Sequence, residues 1–259
     1  MTTAANPWNA VYNLAAGKRN TTTQITMLWK PDSSLTTDTK ETLCLMLDNF
    51  TPEDNERDDS DYHKQVGAQA QQPTTTADDR EFTIEEIRDA IESMDNKKAS
   101  GKDGITGDIY NHTFQILPNS ITAMYNGCLR DGVFPKRWKR AKIIPIIKPG
   151  KEDSYDVSKY CPISLLNAGG KVLEKVMLNR INHHVYTSDH INKNQYGFTP
   201  QLSTIDTAMA VKDFVEDGFI SGEVATLVSL DVESAFNLAW WPNILKSLKK
   251  AYAPGTYTT

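Results

Sequence analysis

The sequence predicts an α+β chain, helical over much of its length with a few short strands. Two observations carry this. Apolar residues recur at helical spacing in segments spread from Thr39 to Lys250. Between them lie short apolar runs of strand length, Ala141 to Ile147, Tyr160 to Leu166 and Val224 to Leu230. With 259 residues the chain can bury a sizeable core, as one large domain or two small ones.

Residues 1–35 mix Thr, Asn, Pro and Gly with scattered aromatics and read as a loosely structured lead-in. Leu43, Met46, Leu47 and Phe50 give Thr39 to Phe50 one apolar face, hence a short amphipathic helix. Residues 51–79 are acidic and polar, with too few apolar groups to hold a core, and read as a linker. Residues 1–80 are thus expected to form a partly disordered connector ahead of a second unit over 81–259. Thr83, with Glu86 three residues on, makes a capping box for a helix whose buried stripe is Ile84, Ile87, Ile91 and Met94. It stops near Asp95-Asn96, and Lys97 to Gly104 follows as a basic loop with two glycines. Glycines let a backbone approach a phosphate closely and lysines add charge, although an ordinary turn has the same composition. The Walker spacing is absent.

Ile121, Met124, Tyr125 and Cys128 mark a helix to Arg130, ended by Asp131-Gly132. The run Ala141 to Ile147 contains Pro145, which confines a strand to an edge or splits it. Lys148-Pro149-Gly150-Lys151 then turns the chain, and Tyr160 to Leu166 is the next extended element. Gly169-Gly170 precedes a long helix, Lys171 to about Val185, with Val172, Leu173, Val176, Met177 and Ile181 inward. Gln195 to Phe198 is a turn, and Ser203 opens a helix carrying Ile205, Ala208, Met209 and Val215. Val224 to Leu230 reads as a buried strand with Asp231 where it emerges, and Trp241-Pro242 opens a last helix, Asn243 to Lys250. No internal repeat is visible.

Composition excludes several classes. A mean hydropathy of −0.49 leaves part of the chain outside any core. No apolar run nears the ~20 residues that cross a bilayer, and the N-terminus shows no apolar signal core. An intracellular chain, nuclear or cytoplasmic rather than secreted, is expected, without a membrane partner. Cys44, Cys128 and Cys161 lie far apart, with neither zinc-ligand spacing nor a disulfide framework. The net charge of −5 argues against nucleic-acid partners, but its distribution does not. Acidic residues crowd 53–92, whereas Lys136, Arg137, Lys139, Arg140, Lys142, Lys148, Lys151 and Lys159 belong to a basic stretch over 130–180. That stretch suits a phosphate backbone or simply a solvated surface.

Asp231 carries the sharpest chemistry. An unpaired carboxylate at the end of a buried strand is costly to desolvate. A hard divalent cation offsets that cost, because Mg²⁺ takes oxygen ligands from one or two carboxylates plus substrate phosphates. The plainer alternative is an exposed Asp capping a turn.

Taken in order, the segments resemble the reverse transcriptase of LINE-type (non-LTR) retrotransposons. The matching pieces are Lys98 to Ile105, Phe134 to Lys139, Ile144 to Lys151, Tyr160 to Leu166, Gly170 to Lys175, Gln195 to Phe198 with Ser203-Thr204, and Leu230 to Phe236. Residues 1–80 resemble the connector between endonuclease and polymerase in complete elements. The resemblance implies a largely helical fingers subdomain and the first strand of a right-hand polymerase palm, with palm and thumb incomplete. It implies an RNA template, a DNA primer and dNTP as partners, and two Mg²⁺ (or Mn²⁺) ions that stabilise an in-line phosphoryl displacement. Asp231 matches the first metal-binding, catalytic aspartate, with the Val232 carbonyl as a further metal ligand. Phe236 matches the aromatic that excludes a 2′-hydroxyl, a position that a core aromatic would also fit. Lys148 and Lys151 match fingers lysines that approach the triphosphate, and Gln195 and Gly197 fall in a segment near template and nucleotide.

Two positions and one missing motif depart from the family pattern. Cys161 stands where the family has an arginine whose planar fork meets the triphosphate. Asn237 replaces an aspartate after Phe236. The second metal-binding motif, an aromatic-x-Asp-Asp, is expected downstream, and Tyr252 to Thr259 contains no aspartate. The expectation is therefore a truncated copy, inactive alone, whose missing palm and thumb would have to come from elsewhere. The alternative is a remnant that binds nucleic acid without catalysis.

Overall fold

The computed structural model describes residues 25–52, 55–71, 80–95, 98–148, 150–151, 153–187, 191–232, 235–236 and 238–250. In chain order the elements are α1 (Thr39–Phe50), α2 (Asp61–Gln71), α3 (Ile84–Glu92), α4 (Gly107–Ile116), α5 (Pro118–Arg130), β1 (Lys142–Ile147), β2 (Tyr160–Leu165), α6 (Ala168–Thr187), α7 (Thr204–Ile220) and α8 (Trp241–Lys250). The mixture is α+β, with helices predominating and one two-stranded sheet among the described residues.

The helical core forms where the apolar stripes face one another. The Thr83 hydroxyl accepts from the Glu86 N–H while the Glu86 carboxylate accepts from the Thr83 N–H, so the capping box closes and α3 starts as its sequence indicates. Ile87, Ala90 and Ile91 of α3 pack with Phe114 of α4, Ile121, Tyr125 and Leu129 of α5, and Val172, Leu173 and Val176 of α6. Burying a side chain of this size contributes roughly 1.5–3 kcal/mol. Buried Asn126 ties the entry segment to this core: its side chain accepts from the Phe82 N–H at 2.7 Å and donates to the Phe82 carbonyl at 3.0 Å. Trp138 closes the other side. A Cβ on Gly169 would stand 2.7 Å from the Trp138 indole, so only glycine lets the start of α6 approach that ring.

A second, smaller core joins the N-terminal segment to the hairpin. Leu28, Met46, Phe50 and Tyr160 are buried together, with Ile143, Ile147 and Val157 packed against them. β1 and β2 pair antiparallel with Ile146 opposite Cys161 and Pro145 opposite Pro162. The Lys148 N–H donates to the Lys159 carbonyl. The alternation of an antiparallel ladder then puts the Pro145–Pro162 pair at a position whose amides face away from the partner strand. The two prolines cost the ladder no hydrogen bond, and with two strands both edges are edge strands, where proline is tolerated.

Several expectations are corrected. Within the stretch read as a linker, Asp61–Gln71 is helical, and α2 rests on α8. Lys249 donates to the Gln69 and Ala70 carbonyls at the C-terminus of α2, and the His63 ring meets Trp240 at 4.7 Å. A partner helix supplies the burial that α2 lacks alone. In the segment read as a loose lead-in, Leu28 is fully buried and Trp29 bridges Leu35; residues 1–24, 53–54 and 72–79 lie outside the described residues. Gly107–Ile116, to which no element was assigned, forms α4 and buries Phe114; α5 begins at Pro118, three residues before the expected Ile121.

The largest correction concerns the first palm strand. Residues 224–230 form no strand, and Val224, Leu227, Val228 and Leu230 are exposed. A strand needs a neighbour for its N–H and C=O groups, and none of the described residues offers one to this segment.

Candidate functional site

The hairpin tip presents two of the residues singled out above. β1 ends at Ile147 and the chain turns back through Gly150, whose φ of +79° is the left-handed conformation that glycine adopts without strain. The Lys151 N–H donates to the Lys148 carbonyl at 3.2 Å and the Ser154 N–H to the Lys151 carbonyl at 3.2 Å, so both lysines stand exposed on one short hydrogen-bonded turn. Asp156 lies behind them. Its carboxyl is held below the usual range first by the Ser158 N–H, 2.7 Å away, and further by the positive charges of Lys151 and Lys148. Cys161 is exposed on β2. The tip offers two exposed ammonium groups to phosphate oxygens, with the Asp153 and Asp156 carboxylates in the same loop.

A second group forms around Phe198. The Gln195 side chain donates to the Gly197 carbonyl at 2.8 Å, the Tyr186 hydroxyl donates to the Phe198 carbonyl at 2.8 Å, and Phe198 takes a φ of +60°. Phe236 meets Phe198 edge-on, with ring centroids 6.3 Å apart at 89°. Both rings are largely open to solvent, Phe198 91% and Phe236 82% exposed. Phe236 is therefore not a core aromatic. The geometry brings it together with the Gln195–Phe198 turn, two motifs about forty residues apart in sequence.

Asp231 and Val232 follow the exposed apolar segment and are exposed themselves. Among the described residues no ion pair joins Asp231 to Lys148 or Lys151, and no group of three or more His, Cys, Asp or Glu side chains is placed to hold a metal ion. One carboxylate and one carbonyl are hard oxygen donors of the kind Mg²⁺ takes, and they fit it as part of a ligand set that phosphates and a further carboxylate would complete. Asn237 lies outside the described residues, as do Pro149, Glu233 and Ser234.

A third feature was only half legible. Lys98, Lys171 and Lys175 line a cavity of about 340 Å³ together with Asp95, Thr106 and Gly107 at the start of α4. The Thr106 hydroxyl donates to Asp108 instead of capping the helix. Burial pushes the Lys171 ammonium below its usual pKa, and repulsion from Lys98 adds to it. Lys98 belongs to the basic loop recognised in the sequence; Lys171 and Lys175 belong to the Gly170 to Lys175 piece of the resemblance, to which no phosphate role was assigned. The glycines of that loop have structural reasons. A Cβ on Gly101 would meet the Leu166 carbonyl at 2.5 Å, and Gly104 holds a φ of +73°.

Residues 146–258 match the family described as reverse transcriptase (RNA-dependent DNA polymerase). The RNA-directed DNA polymerase from mobile element jockey of Drosophila melanogaster is 35% identical over 179 residues, 68% of this chain and 19% of that protein. The probable RNA-directed DNA polymerase from transposon BS, from the same organism, is 33% identical over 178 residues, 67% of this chain and 19% of that protein. The retrovirus-related Pol polyprotein from type-1 retrotransposable element R1 of Bradysia coprophila is 27% identical over 242 residues, 93% of this chain and 23% of that protein. The chain spans about a fifth of the length of these curated relatives.

Proposed function

The chain belongs to the non-LTR retrotransposon reverse transcriptases, and on that premise we propose that it provides the fingers and the first metal-binding carboxylate of an RNA-directed DNA polymerase. Its partners are an RNA template, a DNA primer and dNTP with Mg²⁺. The observation that carries this reading is the hairpin tip, where Lys148 and Lys151 share one hydrogen-bonded turn and, with Asp231, fall within the residues that match the family.

The residues divide the work. Lys148 and Lys151 contact the triphosphate of the incoming nucleotide as point charges. Phe236, braced edge-on by Phe198, closes the space beside the sugar C2′ and selects against a ribose. The Gln195–Phe198 turn lies along the template base. Asp231 and the Val232 carbonyl hold Mg²⁺, which when bound stabilises charge on the reacting phosphate. Lys98, Lys171 and Lys175 take the phosphate backbone of the template strand. Completing the two-metal site would take a second carboxylate beside Asp231, so the described residues bind and position substrates.

The test is a salt titration of affinity for an RNA template annealed to a DNA primer. Neutralising Lys98, Lys171 and Lys175 together flattens the dependence of log K on log[salt] by up to about three phosphate contacts. An unchanged slope, or no affinity at low salt, contradicts the reading.

A further inference from the structure

Lys159 is the one lysine in the buried set of the described residues, with 1% of its surface exposed. An ammonium is costly to bury unless its hydrogen bonds are met. Here two of its three N–H groups are met, and by no carboxylate among the described residues. Nζ donates to the Thr26 hydroxyl at 2.8 Å and to the Ser154 carbonyl, and it lies 5.2 Å from the Tyr160 ring centroid and 5.9 Å from that of Tyr155. The π faces of the two tyrosines supply further attraction to the cation.

The backbone of Lys159 grips the same loop. Its carbonyl accepts from the Lys148 N–H at 2.7 Å and its N–H donates to the Asp156 carbonyl at 3.1 Å. The Trp29 N–H donates to the Tyr155 carbonyl at 2.9 Å, so the N-terminal segment holds the loop from the other side. One residue therefore fastens three things: the foot of the Lys148 turn, the far limb at Ser154, and Thr26 in the connector. An apolar side chain would fill the same volume without fixing the Ser154 carbonyl.

We propose that Lys159 is a positioning residue: its buried ammonium latches the 150–158 loop to the N-terminal connector and so holds Lys148 and Lys151 in place for a triphosphate. The last step rests on the reading of those two lysines given above. The connector thereby becomes part of the nucleotide-binding apparatus rather than a tether, and Lys159 acts on the nucleotide only through its neighbours.

The experiment uses the full chain and compares wild type with Lys159→Met, Thr26→Val and the double variant Lys148→Ala/Lys151→Ala. Amide hydrogen exchange is read at Lys151 and at Ser154 to Ser158, together with affinity for dATP plus Mg²⁺ and for an RNA–DNA primer duplex. In Lys159→Met, loop exchange rises about tenfold and dATP affinity falls about tenfold, as expected for lost preorganisation. Duplex affinity and the protection of Ile87, Tyr125 and Val172 stay at wild-type levels. Unchanged loop exchange in Lys159→Met overturns the proposal, and so does a loss of loop, core and duplex binding together, which marks a merely structural residue. Should Lys159→Met fail to fold, Thr26→Val decides, with a selective rise in loop exchange expected and no rise overturning the latch. If the double variant binds dATP as wild type does, the triphosphate reading of Lys148 and Lys151 fails, and loop exchange still decides whether Lys159 is the latch.

Discussion

Arg180 of α6 forks onto Glu86 of α3: Nε donates to Oε1 at 2.7 Å and Nη2 to Oε2 at 2.8 Å. The same guanidinium donates to the Arg80 and Glu81 carbonyls and lies 4.4 Å from the Phe82 ring centroid. Since Glu86 also completes the capping box of α3, one side chain locks helix start, helix pair and entry segment together. The Arg180 hydrogen bond holds the Glu86 carboxyl below its ordinary pKa. A lowered carboxylate contributes stability above its unfolded pKa of about 4.3, lost as pH falls through the lower folded value. Glu86→Gln is therefore expected to cost about 1 kcal/mol at pH 7, a figure kept small because the carboxylate is partly open to solvent. Urea unfolding of both proteins at pH 7 and in acid shows a gap that closes in acid; a pH-independent gap contradicts the assignment.

Asn126 replaces a strand neighbour for Phe82, satisfying both its N–H and its C=O. Asn126→Ala leaves two buried backbone groups unpaired, at about 1–3 kcal/mol each. Equilibrium denaturation is expected to show a loss of roughly 2–6 kcal/mol, larger than for the exposed Asn119→Ala.

Gly169→Ala places a methyl 2.7 Å from the Trp138 indole, which is itself hemmed by Tyr125 and Phe134 at centroid distances of 5.6 and 6.1 Å. Overpacking of this kind costs about 1–3 kcal/mol. Trp138→Leu is expected to relieve part of it, so a double-mutant cycle reads a coupling of opposite sign to the single losses.

These elements show what was legible in the sequence and what was not. α3 declared itself through an apolar stripe and a start signal, Thr83 accepting from the Glu86 N–H, whereas α1 was legible by its stripe alone, of which Met46 and Phe50 are buried and Leu43 and Leu47 exposed. The hairpin was legible as two short apolar runs around a turn, and its lysines as that turn's rim. Long-range partnership was not. α2 exists because α8 covers it, and nothing in Asp61 to Gln71 announces that. Asp231 stood out by motif, but its expected strand depended on neighbours that the sequence pattern cannot supply. Lys159 looked like one more basic residue of a charged stretch, because burial is invisible in a residue's identity.

Cys161 offers a gain-of-function check. It is exposed on β2 opposite Ile146, so a long cation fits there without repacking. Cys161→Arg is expected to raise affinity for dATP with Mg²⁺ by about tenfold, the worth of one charge-assisted phosphate contact. Isothermal titration of both proteins checks it; equal affinities would mean that β2 does not face the triphosphate.

The most direct measurement is retention of the dNTP complementary to the template base, on an RNA template with a 3′-dideoxy-terminated DNA primer, with and without Mg²⁺. The account predicts that the chain selects the complementary dNTP over a mismatched one in the presence of Mg²⁺. Asp231→Ala and Lys148→Ala/Lys151→Ala each weaken that retention by about tenfold or more. Phe236→Ala narrows the preference for dNTP over rNTP. Retention that ignores the template base and the metal, or that survives both variants unchanged, would contradict the assignment of these residues to a polymerase nucleotide site.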